Sequence, residues 1–315
     1  CKMIKDTEGD QFEDMRTMEQ DLTFDEAEKA FMRHNVDFTE DKFIALGLRN
    51  LHDDHYTNLA LLLSDQCQHT IKIAVFADED RTIFKDAKEF GGSIFRQLDD
   101  AYSYLLLCNR TSATFQGLNR VEKKDYPEEA LREALLNAMV HRDYSFSGSI
   151  IINVNDVAME FISIGGLLPG LSVEDIRSGI SQPRNRKLAE IFHRLKLIES
   201  YGTGIRRIFK LYENHSVQPR IEVTPNAFKL ILPNTNYANT TDNVSGREEN
   251  AALTITPQMK VVLGYLSEYG EISEEELQEL LNVKRTRAYL IARQMLEQGL
   301  ILCSGRGINK RYYLK

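Results

Sequence analysis

The 315-residue chain has four cysteines, Cys1, Cys67, Cys108 and Cys303, and none of them forms a Cys-x-x-Cys pair. Thiols scattered in this way argue against structural zinc and a disulfide framework, and they fit a reducing cytoplasm. Long apolar runs are missing too. Stretches such as Leu59-Ala60-Leu61-Leu62-Leu63 are far too short to span a bilayer. The first residues are polar and charged, so no secretory signal is expected at the start. Glycine is never followed by lysine, which leaves a P-loop motor without its phosphate cradle and excludes a helicase of that kind. His141-Arg142-Asp143 matches the kinase catalytic loop, but neither a kinase glycine-rich loop nor Asp-Phe-Gly accompanies it, so a kinase is excluded.

What is present is ordinary in bulk and uneven in detail. A hydrophobic content of 42% and a charged content of 27% suit a globular protein of two or three domains. The net charge of −8 argues against a surface that attracts nucleic acid everywhere. Yet Glu268 to Glu279 holds six glutamates and no Lys or Arg, while Lys284 to Lys315 holds eight Lys/Arg and one acid, Glu297. An acidic block followed by a basic block is a local electrostatic footprint.

Residues 1–20 are acidic, lack an apolar period, and read as the tail of a domain lying upstream. Residues 21–125 read as an α/β region. A helix is expected through Arg33, with Thr23 as its cap and Glu26 at the capping-box position, and a second short one near Asp41 to Leu46. Tyr56 to Leu63 suits either helix or buried strand. Thr70 to Phe76 reads as a strand with Arg81 to Lys85 as its partner, and Gly92 to Cys108 has helical spacing. Thr111 to Phe115 and Asn119 to Lys123 look extended. A further helix begins near Arg186, and strands flank the turn Thr224-Pro225-Asn226. Residues 235–255, rich in Asn, Thr and Ser, read as a linker. Residues 256–315 then read as three helices and two short strands, Leu300 to Ser304 and Arg311 to Leu314.

The most telling stretch is Arg132-Glu133-Ala134-Leu135-Leu136-Asn137-Ala138-Met139-Val140-His141-Arg142-Asp143-Tyr144. Pro127 suits the first turn of its helix. Glu133, Asn137 and His141 lie four apart and line one helix face. Such a stripe is either a solvated face or a site for a metal-bound phosphate. Two β-like runs follow, then Ser163-Ile164-Gly165-Gly166-Leu167-Leu168-Pro169, Arg184-Asn185-Arg186 and Glu199-Ser200-Tyr201-Gly202-Thr203-Gly204-Ile205.

This order of motifs over residues 126–234 resembles the C-terminal domain family named after RecG helicase, whose members are similar to the GHKL ATPases. The preceding residues resemble those of prokaryotic transcriptional regulators, in which a Schlafen-type AlbA domain usually lies further upstream. The resemblance implies an α/β (α+β) fold, a GHKL-like mixed sheet layered with helices. By motif it makes Glu133 the general base and Asn137 the Mg²⁺ ligand beside ATP. His141, Ser163, Gly165, Gly166, Gly202, Thr203 and Gly204 would complete the nucleotide site. Ser163 stands where GHKL enzymes place an adenine-binding Asp, and a hydroxyl is the weaker acceptor. Local readings compete at several of these positions. Gly165 and Gly166 also suit a turn, Gly202 a helix C-cap, and His141 a structural hydrogen bond. Arg184 and Asn185 suit phosphate contact or helix capping.

The last 60 residues resemble a winged helix-turn-helix. Lys284, Arg285, Arg287, Tyr289 and Arg293 would lie on its recognition helix, and Arg306, Lys310 and Arg311 on its wing. The expectation is a cytoplasmic, prokaryotic, DNA-binding regulator that acts on double-stranded DNA as a homodimer. A true Mg²⁺-dependent ATPase and an assembly module with a dead pocket remain open beside it.

Overall fold

The computed structural model describes residues 11–78, 80–116, 119–199, 202–237, 257–281, 283, 285–297, 300–304 and 311–314. The chain divides into two compact units, Cys1–Ser245 and Gly246–Lys315.

The first unit runs through α1 (Asp25–Arg33), α2 (Asn58–Leu63), β1 (Ile71–Phe76), β2 (Phe84–Phe90) and α3 (Ile94–Cys108). The hairpin β3 (Thr111–Gln116) and β4 (Asn119–Lys124) follows, then α4 (Glu128–His141), β5 (Ile150–Val154) and β6 (Ala158–Ile164). It closes with α5 (Val173–Ser178), α6 (Arg186–Arg194), α7 (Thr203–Leu211), β7 (Arg220–Thr224) and β8 (Ala227–Pro233). Six strands form one mixed sheet in the order β2-β1-β5-β6-β8-β7, with β1 and β5 parallel and the other neighbours antiparallel. Strand alternation explains which face is covered: Ile150, Ile152 and Val154 are buried, while Ile151 between them is exposed. Helix α4 packs on β6 and against α3 and α7. It buries Leu131, Leu135, Ala138 and Met139, and Leu136 and Val140 besides. It is therefore an interior helix with only a narrow polar stripe.

Several helix ends are finished by distant residues. Thr23 does not cap α1. The Asp65 carboxylate accepts from the N–H groups of Asp25 (2.9 Å) and Glu26 (3.3 Å), and Thr23 Oγ1 donates to it. The Asp41 to Leu46 expectation shrinks to a 3₁₀ turn at Glu40–Lys42. Tyr56 to Leu63 resolves as helix, with Thr57 Oγ1 accepting from Ala60 N–H. The partner of β1 starts at Phe84, because the Asp78 carboxylate ties up the N–H groups of Thr82 and Ile83 in a turn.

Within residues 11–20, Phe12 and Glu13 pack on the first unit. Glu13 is 1% exposed, and its carboxylate accepts from Lys187 N–H (3.0 Å) and Leu188 N–H (2.7 Å), which caps α6. Polar capping leaves no apolar period, so the sequence carried no trace of it. Burial outweighs these hydrogen bonds and pushes Glu13 up from 4.5 to about 7. The folded state thus holds this proton more tightly than the unfolded chain. Its stabilising effect is complete below about 4.5 and is lost as pH rises to about 7. Melting curves of wild type and Glu13→Gln should diverge across this window. Wild type should lose of the order of 2 kcal/mol more than the variant between pH 4.5 and 7. Parallel pH profiles would remove Glu13 as the cause. Asn234 and Thr235, which open the polar stretch after β8, are also buried; Asn234 Nδ2 donates to Asp156 O and Thr235 N–H to Asp125 O.

The second unit contains α8 (Pro257–Tyr269), β9 (Glu271–Ser273), α9 (Glu274–Leu281), α10 (Arg285–Glu297), β10 (Ile301–Ser304) and β11 (Arg311–Leu314). Its sheet runs β10-β11-β9. β9 is an addition to the expected pattern; with three residues it is too short to show alternation. Ile272 pairs with Tyr312, and both join a core with Met259, Leu266, Ile291 and Met295. Among the described residues, no helix of either unit is long and apolar enough to cross a membrane.

Candidate functional site

A cavity of about 580 Å³ opens in the first unit between α4, the start of α7, α6 and the segment after β6. That volume suits a nucleotide-sized ligand. Glu133, Asn137 and His141 all line it, so the polar stripe of α4 is a cavity wall and not a solvated face. Gly165, Gly166, Gly202, Thr203 and Gly204 line it as well. Ser163 does not: it is 1% exposed within β6 and absent from the lining. It pairs across the sheet with Phe228, which does line the cavity, so it lies on the cavity side of β6 beneath the lining.

Glu133 is 8% exposed and is held from two sides. Its Oε1 accepts from Arg132 Nη1 at 2.8 Å, and Arg207 Nη1 lies 3.6 Å away. Burial raises its pKa above the usual carboxylate range, and the two guanidinium groups oppose that rise. Arg132 is itself fixed, since its Nη2 donates to Leu197 O at 2.5 Å. Arg207 Nη2 binds Glu199 Oε1 at 2.7 Å, and Glu199 Oε2 accepts from Thr203 Oγ1 at 2.9 Å.

Gly202 precedes α7 in the left-handed region (φ 64°) and is its N-cap, not a C-cap. A Cβ there would sit 2.4 Å from Gly179 O, so only glycine fits. Among the described residues, none accepts from the first N–H groups of α7 by side chain. These N–H groups and the helix dipole favour an anion. Gly204 faces α4, and a Cβ there would lie 3.0 Å from Glu133 Oε2 and 3.2 Å from Asn137 Nδ2. The α7 start and the α4 stripe therefore meet in one place.

At the other end, Gly165 (φ 106°) packs on Asp143 and Arg184, while Gly166 packs on the backbone of the β7–β8 turn. Both glycines also border the cavity, and the turn in this segment falls later, at Pro169-Gly170. Arg184 lines the cavity, pairs with Asp143 at 3.5 Å and donates to Gly166 O at 2.9 Å. Its buried Nε finds no acceptor among the described residues. Asn185 is not part of the cavity lining, and its side chain does not cap its own helix. Its amide donates to Val140 O (2.8 Å) and Arg142 O (2.7 Å), closing the end of α4. His141 faces the cavity, and burial, then Arg184, pushes it down to about 4. A neutral imidazole at pH 7 can donate or accept one hydrogen bond. Arg142 is fully buried, bonded to His69 Nδ1 and to Phe146 O, and stacked over Tyr144. Its role is structural.

Arg132, Glu199 and Arg207 escaped the sequence reading. A spacing of four from Thr203 to Arg207 on α7 was the available signal. Among the described residues, no group of three His, Cys, Asp or Glu side chains could hold a metal ion. Asn137 would offer one oxygen, which suits Mg²⁺ bound mainly through phosphate and water.

In the second unit, Tyr289 and Arg293 are exposed on α10. Arg311 lies between Glu271 (3.4 Å) and Glu276 (3.7 Å) of the same unit. Lys284, Arg306 and Lys310 lie outside the described residues, as do the side chains of Arg285 and Arg287.

Residues 148–232 match the family model described as "Putative ATP-dependent DNA helicase recG C-terminal". This segment is similar to RecG C-terminal-type domains. The match starts at β5, short of the expected residue 126, and so omits α4 with Glu133 and Asn137. No curated protein matches the chain. Among solved structures, the DIP2311 protein from Corynebacterium diphtheriae superposes with a TM-score of 0.62 at 19% identity. The alignment covers 100% of this chain and 66% of that one, so the chain spans just under two thirds of its relative. At that identity the two share a fold. The matched segment supplies four of the six strands, Gly165 and Gly166, α6 and the Gly202-Thr203-Gly204 start of α7; β1, β2 and the α4 wall come from outside it.

Proposed function

We propose that the first unit binds a nucleotide, ATP with Mg²⁺ by the character of the matched family, and that the chain is a DNA-binding transcriptional regulator. The convergence of the α7 N-terminus with the Glu133 and Asn137 stripe of α4 carries this reading. Backbone N–H groups would hold phosphate oxygens, Asn137 would hold the metal, and Mg²⁺ when bound would neutralise phosphate charge. His141, neutral and facing the cavity, would give a polar contact to the rest of the ligand. The second unit, three helices with a small sheet, suits a winged helix-turn-helix that presents α10 to double-stranded DNA. Winged helices commonly read paired half-sites, which favours a homodimer.

Glu133 would be the general base of such a site, but its two arginine partners hold it as an ion pair. That arrangement favours a binding site with little turnover, a ligand-responsive regulator before a fast ATPase. The decisive experiment is the melting temperature of the chain with Mg²⁺ and a non-hydrolysable ATP analogue, beside Asn137→Ala. Ligand at a hundred times its Kd should stabilise wild type by about 2.7 kcal/mol, and the variant should lose this gain. No shift in wild type at millimolar analogue would refute the nucleotide reading.

A further inference from the structure

Arg207 sits where three features of the cavity wall meet. It follows Thr203 by one helical turn on α7, it faces Glu133 at 3.6 Å, and it binds Glu199 at 2.7 Å. Its guanidinium is therefore shared between two carboxylates, and one of them, Glu199, also accepts from Thr203 Oγ1 at the first residue of α7.

The two carboxylates do not need it equally. Glu133 is buried, but Arg132 holds it at 2.8 Å and is anchored to Leu197 O. Releasing Arg207 would leave Glu133 paired. Glu199 has a side chain 52% exposed, so water can replace its partner. Arg207 is itself 39% exposed, and ion pairs of that exposure are weak. A terminal phosphate seated on the α7 N-terminus would offer a planar guanidinium two oxygens and more negative charge than either carboxylate. The cheaper partners would lose it.

We propose that Arg207 is the specificity-determining residue of this site: it selects ligands by a terminal phosphate of a polyphosphate chain and leaves Glu133 and Glu199 to bind it. This rests on the nucleotide reading above. It adds the ligand feature that is read and the residue that reads it. One consequence follows for chemistry. Glu133 keeps one arginine in place of two, so it becomes a better base only when a polyphosphate is bound.

The test is calorimetric titration of the full chain with Mg²⁺ and either the non-hydrolysable ATP analogue or AMP. Wild type should prefer the triphosphate at least tenfold. Arg207→Gln should lose most of that preference while its affinity for AMP stays unchanged. Glu199→Gln removes a competitor for Arg207 and should strengthen triphosphate binding several-fold, again without moving AMP. An unchanged triphosphate-to-AMP ratio in Arg207→Gln overturns the proposal, as does an equal loss for both ligands, which would mark a structural role. If Arg207→Gln does not fold, Glu199→Gln decides: no gain in preference overturns it. Wild type that binds neither compound sinks the nucleotide reading itself, a result distinct from binding without discrimination.

Discussion

Gly166→Ala should destabilise the first unit by about 3 kcal/mol, read as a lowered denaturant midpoint with unchanged slope. The added Cβ would lie 2.6 Å from Thr224 O, 2.7 Å from Pro225 O and 3.0 Å from Pro225 C. All three are backbone atoms of the β7–β8 turn, and that turn is held to the neighbouring strand by Gly165 N–H donating to Asn226 O at 2.9 Å. A rigid turn cannot give way as a side chain would, so the loop after β6 must move instead. Arg184 would move with it, because it donates to Gly166 O. Gly204→Ala makes the contrast. Its Cβ would meet only the ends of Glu133 and Asn137, which can shift, and alanine favours a helix by about 1 kcal/mol over glycine. That variant should fold normally. A Gly166→Ala protein as stable as wild type would mean the two loops are not packed as described.

The largest effect on partner binding is expected for Arg285→Glu with Arg287→Glu. Both residues belong to α10, within a stretch holding eight basic residues and one acid from Lys284 to Lys315. Each phosphate contact removed lowers the salt slope of DNA binding by roughly 0.9. The double variant should therefore lose about two units of slope and well over tenfold in affinity at moderate salt. Fluorescence anisotropy on a labelled duplex across a salt series measures both. Equal affinity and slope for wild type and variant would dismiss α10 as the DNA reader. Arg311 makes a poorer test, since Glu271 and Glu276 already flank it.

Local periodicity made much of this fold readable. The apolar spacing of α4 and the alternation of β5 depend on neighbours within a few residues, and both elements lie where the pattern places them. The candidate site was readable to the same depth. Glu133, Asn137, His141 and the glycines that border the cavity could be picked from their order along the chain. What no local pattern could show was pairing across the fold. Arg207 reaches Glu133 from another helix, and Asn185 closes α4 instead of opening α6. Such contacts depend on where helices settle, and only the packed fold specifies that.

The distant helix caps also bear on how the chain folds. Glu13 meets α6 across 174 and 175 residues, Asp65 meets α1 across 40, and Asn185 meets α4 across 45 and 43. None of these helix ends can be completed by its own segment. Closing such loops costs chain entropy before any contact repays it, and high contact order slows folding. On the ribosome, Glu13 emerges long before the helix it will cap, so it must wait in a partly assembled chain. The first unit should therefore reach its native state late and all at once, with the cavity among the last parts to take shape.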